Sequence, residues 1–168
     1  MNSVEQLCPN CGLCCDSTLF ADVELRQSDD ATLLKKLGLS LHKKGKSKIA
    51  FAQPCACFDG KFCKIYEDRP KRCGLFECGL LKKVEAGKMT TNAALKKIRD
   101  AKALAGKVRE LLDSSGQRDE KMALTKRYAE TMSGPIDLSD ETAADRRGEL
   151  MMAVSNLMQI LQRDFLSE

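Results

Sequence analysis

All nine cysteines of this 168-residue chain lie between Cys8 and Cys78, and four of them stand in one octet, CPNCGLCC, at residues 8–15. The remaining ninety residues contain none. So much sulfur in one half limits what that half can be. In an oxidising compartment it would be a disulfide framework; in a reducing one it is metal or redox chemistry. The opening MNSVEQLCPN has neither the basic start nor the apolar run of a secretory leader. No stretch approaches the roughly 18 apolar residues of a spanning helix. The expectation is a reduced, cytoplasmic protein with no membrane partner, whose thiols bind metal.

The rest of the composition fits a folded chain. Hydrophobic residues make up 43% and charged residues 31%, a balance that disfavours wholesale disorder. Aromatics are only 5%, with no Trp, so the core must be aliphatic. Residues 1–127 carry 25 Lys and Arg against 16 Asp and Glu, a net +9; residues 128–168 carry 3 against 8, a net −5. Thiolates would cancel much of the front's excess, so net charge alone is weak support for a nucleic-acid partner.

The chain divides into a turn-rich front and a helical back. In the front, SDDATLLKKLGL reads as a short helix capped by Ser28 or Asp29 and ended by Gly38. KKGKSK at 43–48 reads as a basic loop, and IAFAQPC as a strand. Asp59-Gly60 marks a tight turn that returns Cys55 or Cys57 toward Cys63. In the back, Thr90 or Thr91 caps a helix to about Leu112, with Ala94, Ile98, Ala101, Ala105, Val108 and Leu112 as its inner stripe. RDEKMALTKRYAETM reads as a middle helix. Ser139 is the expected cap of a last helix, whose stripe is Met151, Val154, Met158, Leu161 and Phe165, widened by Leu150 and Leu157. That methionine-rich stripe reads as core, with a thioether metal site as the alternative. The fold class is therefore mainly α: an irregular cysteine-rich metal-binding lobe over 1–80, then a helical hairpin or bundle over 81–168 packed on it as one unit. The last helices could equally pair with a protein partner or across a homodimer axis.

The thiol spacing is that of ligands. Cys8 and Cys11 flank Pro9-Asn10, and a turn there would point both sulfurs at one ion. Cys14 extends the run to C-x-x-C-x-x-C, which also suits an iron-sulfur cubane. Adjacent residues rarely serve one ion, so Cys15 is expected to serve a second site or to bridge. Cys55, Cys57, Cys63, Cys73 and Cys78 form a second group, with Cys73 and Cys78 near the start of the helix in GLFECGLLKKV. Eight thiols make two sets of four with one left over. His42 is the sole histidine and reads as a solvated loop residue. Zinc and an iron-sulfur cluster are both compatible with all-sulfur donors.

CPNCGLCC, a later PC, GKFCKIYEDRPKRC and FEC together resemble the YkgJ-type cysteine-cluster family over residues 8–78. The resemblance implies a zinc- or iron-chelating domain. It implies Cys8, Cys11, Cys14, Cys15, Cys55, Cys63, Cys73 and Cys78 as the metal-binding set, with Ile65, Tyr66, Arg69 and Pro70 as the core that accompanies it. Tyr66 and Arg69 are expected to brace the metal site from behind the ligands. Two positions depart from the family pattern. Cys57 is an extra thiol: a spare, a redox-active group or a replacement ligand. Gly74 stands where the family often has Arg.

Three functions follow. The first is a small metal-binding protein with a structural or sensing cysteine lobe and a partner-binding helical lobe. The second is an iron-sulfur enzyme or electron carrier, since flagellin lysine methylases of that family carry the domain. No nucleotide loop or nucleophile-base pair supports it. The third is nucleic-acid binding through KKGKSK and a basic face at Lys82, Lys83, Lys88, Lys96, Lys97 and Arg99.

Overall fold

The structure, a computed structural model, describes residues 3–137 and 139–167. Among these, seven α-helices and a three-stranded antiparallel sheet make a mainly helical fold. The helices are α1 (Ser3–Cys11), α2 (Ala31–Lys36), α3 (Lys71–Leu75), α4 (Gly79–Glu85), α5 (Thr91–Ser114), α6 (Leu124–Ser133) and α7 (Ala143–Ile160). The last runs on into a π-helical turn, Leu161–Phe165. The strands are β1 (Asp22–Glu24), β2 (Leu41–Lys44) and β3 (Lys48–Ala52).

Helix α5 organises the larger core. Its 24 residues span about 36 Å, and the Thr90 hydroxyl caps it by accepting from the Ala93 amide at 3.2 Å. The buried stripe is Ala94, Ile98, Ala101, Ala105, Val108 and Leu112, as the spacing predicts. Three alanines in that stripe let neighbouring helices approach closely. Helices α1, α4 and α7 all pack against α5, and Leu7, Leu80, Leu81, Leu150 and Leu157 fill the space between.

The last helix turns a different face inward from the one its methionines mark. Leu150, Ala153, Leu157, Leu161 and Phe165 are buried, while Met151 and Met158 are half exposed. The stretch 150–162 contains no charged residue, so it has two apolar stripes, and periodicity cannot choose between them. Packing on the small side chains of α5 selects the stripe with Ala153 at its centre. The methionine stripe as core is thus corrected. The cap is also different: Thr142 occupies the N-cap position, and Ser139 instead bonds to Asp137. The middle segment is helical only from Leu124; Arg127 inside it is buried and paired with Asp113 at 2.6 Å.

A second, smaller core lies under the sheet. The strand order is β1-β3-β2, with Val23 and Leu41 both opposite Phe51. Phe51 packs with Leu34, Leu39, Cys57 and Ile65. The basic loop is the β2–β3 hairpin turn with its flanking strand ends. His42 sits on strand β2 rather than in a loop, and is exposed. Helix α2 is capped by Asp30, which accepts from the Thr32 and Leu33 amides, both at 2.9 Å. Asp29, the expected cap, reaches across instead to accept from the Lys71 amide at 2.9 Å.

The C-terminal π-helical turn closes over the start of α4. A Cβ at Gly79 would stand 2.8 Å from the Asp164 carbonyl and 2.9 Å from that of Ser167. Backbone cannot yield as a flexible side chain does. Gly79→Ala should therefore destabilise the fold by about 1–3 kcal/mol, read as a lower urea midpoint at unchanged slope. An unchanged midpoint would show that the turn is not packed on α4.

Candidate metal centre

The octet is built differently from the expected knuckle. Helix α1 continues through Pro9 to Cys11, so there is no turn at Pro9-Asn10. Leu7 is buried in the larger core, and Val4 and Cys11 pack against that core. This burial holds the segment helical despite Pro9. The Asn10 side chain donates to the Gln6 carbonyl at 2.8 Å. Cys8 and Cys11, three residues apart on a helix, share a face. Gly12 then ends the helix in the left-handed region at φ 75°, and the fully buried Leu13 pins the turn that carries Cys14 and Cys15.

Gly12 has a second task. A Cβ there would lie 2.7 Å from the tip of the Phe58 ring, so only glycine lets the Phe58 loop sit against the octet. The Cys55 amide donates to the Cys15 carbonyl at 2.8 Å, which joins the two cysteine groups through backbone. The Asp59 turn forms as expected. Its carboxylate accepts from the Lys61 and Phe62 amides at 2.9 and 2.7 Å. Beyond it Phe58 pairs with Cys63, and the Lys64 amide donates to the Cys57 carbonyl at 2.8 Å. Cys73 and Cys78 do not share one helix. Cys73 lies within α3, and Cys78 is the N-cap residue of α4.

Electrostatic neighbourhood sorts the thiols. Cys8 and Cys11 feel Cys78, and Cys14 feels Cys11, Cys78 and Cys8. Cys15 feels Cys55, Cys73 and Cys63, and Cys73 feels Cys55 and Cys63. Two adjoining neighbourhoods result, a quartet of Cys8, Cys11, Cys14 and Cys78 and a quartet of Cys15, Cys55, Cys63 and Cys73, with Cys57 against the second. They meet at the adjacent Cys14 and Cys15. Cys57 itself is 3% exposed inside the smaller core, and its thiol donates to the Leu37 carbonyl at 3.5 Å.

Burial, then repulsion from neighbouring thiols, raises Cys8, Cys11, Cys14, Cys15, Cys55 and Cys73. Cys11, Cys15 and Cys73 are pushed up to about 12, Cys55 to about 11, and Cys14 well above its ordinary value. Arg69 opposes this at Cys8 and Cys73, one thiol from each quartet. Its guanidinium stacks on Tyr66 at 3.7 Å, and among the described residues it forms no ion pair with Glu67. Gly74 leaves room beside it: a Cβ there would come 3.4 Å from the Arg69 Nε.

The donors suit zinc or iron in kind and number. They are all sulfur, and eight of them are enough for two four-ligand sites, as both metals accept. Among the described residues, no three His, Cys, Asp or Glu side chains already stand in a geometry that could hold an ion. Sequence reasoning missed Leu13 and Phe58, the side chains that set the octet turn and dock the second group. An apolar residue between two cysteines was the available signal for Leu13; nothing local marks Phe58.

Thiol donors grouped in this way define a cysteine-cluster protein of metal-chelating type. Residues 7–100 match the CxxCxxCC family model, described as a "putative zinc- or iron-chelating domain". More than half the chain is covered, and the chain belongs to this family. No curated protein and no solved structure matches it. The match ends within α5, so α6 and α7 lie outside it.

The raised thiols carry a pH signature. With folded values above unfolded ones, their contribution to stability is complete below the ordinary thiol value of 9.0 and is lost as pH rises toward about 12. Metal-free protein should therefore lose stability through that window in alkaline denaturation monitored by circular dichroism. A flat profile would show the thiols to be solvated.

Proposed function

We propose that the protein binds two metal centres, zinc or iron, each held by four thiolates. Cys8, Cys11, Cys14 and Cys78 form the first, and Cys15, Cys55, Cys63 and Cys73 the second. The observation that carries this reading is the division of eight thiols into two neighbourhoods of four, while the Cys57 thiol donates to the Leu37 carbonyl. Bound metal supplies the positive charge that lets all four thiols of a quartet ionise together. Tyr66 and Arg69 back the centres, with Arg69 offsetting negative charge on both sides.

Four thiolates per centre leave no open position for substrate, as in structural rather than catalytic sites. We therefore assign the centres a structural or sensing role, with the helical lobe as the partner-binding part. The first centre would tie α1 to the start of α4. The second would tie the octet turn to the Cys55–Cys63 loop and α3. Each tie would contribute on the order of 10 kcal/mol as apparent binding free energy. The absence of a long apolar helix among the described residues agrees with a role that needs no membrane span.

An iron-sulfur electron carrier is the second reading, favoured by the C-x-x-C-x-x-C run and by the family's iron option. Nucleic-acid binding has less support. Lys97 of the basic face pairs with Asp164 at 2.8 Å, Lys96 with Asp100 at 3.3 Å, and Lys83 donates to the Arg163 carbonyl at 3.5 Å.

Metal analysis of anaerobically purified protein tests the assignment. Cys63→Ala and Cys78→Ala should each lower metal content by about half, because each removes one ligand from a different centre. Cys57→Ala should leave it unchanged. Equal loss in all three variants would make Cys57 a ligand and end the four-and-four assignment. A brown preparation bleached by dithionite identifies iron-sulfur centres; a colourless one with zinc identifies the structural alternative. Binding should also tighten steeply with pH, because each quartet must release protons to take a metal. Titration of metal-free protein at pH 6 and pH 8 reads this, and equal affinities would mean that the thiols are not the ligands.

A further inference from the structure

A cavity of about 220 Å³ opens between the end of the octet turn, α5 and the start of α6. No thiol lines it. Asp16 and Ser17 come from the turn, Arg109 and Asp113 from α5, and Arg127 from α6. The loop between the two helices adds Glu120 and Met122. Residues 109–127 lie beyond the stretch that matches the family. Ser17, at φ 75°, is the one non-glycine residue in the left-handed region among the described residues. It is buried, and its hydroxyl accepts from the Leu124 amide at 3.2 Å. Backbone held in such a conformation gathers at ligand sites. Both arginines are tethered at one corner only. Arg109 uses just Nη2, on the Asp16 carbonyl, the Thr18 hydroxyl and the Asp16 carboxylate at 3.2, 2.9 and 3.2 Å. Arg127, 3% exposed, likewise bonds through Nη2 alone, to the Asp113 carboxylate at 2.6 Å and the Gln117 carbonyl at 2.5 Å. Its buried Nε donates to nothing among the described residues. A buried donor without a partner is costly and rare, so this one marks a place for an acceptor.

We propose that this cavity binds a small zwitterion, a free α-amino acid with a short apolar side chain. Charge selects the class. Asp16 and Asp113 are already paired with the two arginines, while Glu120 has neither a hydrogen bond nor an ion pair among the described residues. A bare anion would be drawn by the guanidiniums but would meet three carboxylates. A bare cation would meet two guanidiniums. A ligand with a carboxylate and an ammonium on one carbon satisfies both sets: its carboxylate takes the unused guanidinium donors, whose planar fork matches it, and its ammonium turns to Glu120. Helix α6 begins at the same wall, and its positive end favours the carboxylate. Volume sets the size. The cavity is smaller than the roughly 300–1,000 Å³ of drug-sized sites, with room for one amino acid rather than a peptide. Met122 is the one apolar side chain lining it, which suits a short apolar side chain on the ligand. The site uses none of the cysteines, so it stands or falls separately from the two proposed metal centres.

Calorimetric titration of the full-length, metal-loaded protein tests this with L-valine and its two halves, isovalerate (no ammonium) and isobutylamine (no carboxylate). Valine should bind at one per chain, about ten-fold or more tighter than either half, because each half forfeits a charge-assisted contact. Arg109→Met should weaken valine and isovalerate but not isobutylamine. Glu120→Gln should weaken valine and isobutylamine but not isovalerate. Arg109 is half-buried and Glu120 exposed, so Glu120→Gln keeps the test open should Arg109→Met disturb the octet turn; metal content reads that disturbance. No binding of valine up to roughly 10 mM overturns the proposal. Isovalerate or isobutylamine binding as tightly as valine overturns it too, in favour of a simple anion or cation site. Valine binding unchanged by Glu120→Gln places the ligand elsewhere and ends it as well.

Discussion

Eight crowded sulfurs pose a problem of charge. Burial and the charge of neighbouring thiols raise Cys8, Cys11, Cys14, Cys15, Cys55 and Cys73, so ionising one makes ionising the next harder. Arg69 eases this at one thiol of each quartet, but a single guanidinium cannot balance eight thiolates. Only cations placed among the sulfurs can. The front half thus crowds more thiols together than one guanidinium offsets. Its own apolar core is small, built on Leu34, Leu39, Phe51, Cys57 and Ile65.

The quartets rest on different supports. Cys11 and Cys78 pack against the large helical core, while Cys55 and Cys63 pack against the small one beneath the sheet. What joins the two is backbone and shape: the Cys55–Cys15 hydrogen bond, and the Phe58 ring seated where Gly12 has no side chain. The helices beyond the family match share in this. Leu150, Leu157 and Phe165 complete the core on which α1 and α4 lie, and the C-terminal turn closes on Gly79, next to Cys78. The helical half is therefore the frame of one quartet as well as a surface.

Much of this was legible in the residues. The inner stripe of α5 follows from spacing alone, because only one face of that helix is apolar. The Asp59 turn and β3 were legible for the same reason: each depends on chemistry within a few residues. The α1 helix was not, because Pro9 argues locally for a turn and is overruled by burial of Leu7. The inner face of α7 was not, because its sequence allows two. Asp29 looked like a cap but serves a contact with Lys71, 42 residues away.

The sequence by itself determined that sulfur, in a set large enough for two four-ligand sites, dominates the first half, and that the second half is helical. Both are matters of residue type and short spacing. Tertiary structure alone decided how the thiols sort. Cys78 comes beside Cys8 across 70 residues, and Cys15 comes beside Cys55, Cys63 and Cys73. The reason is that grouping depends on which core each segment packs against, and packing is a property of distant side chains that no local spacing records.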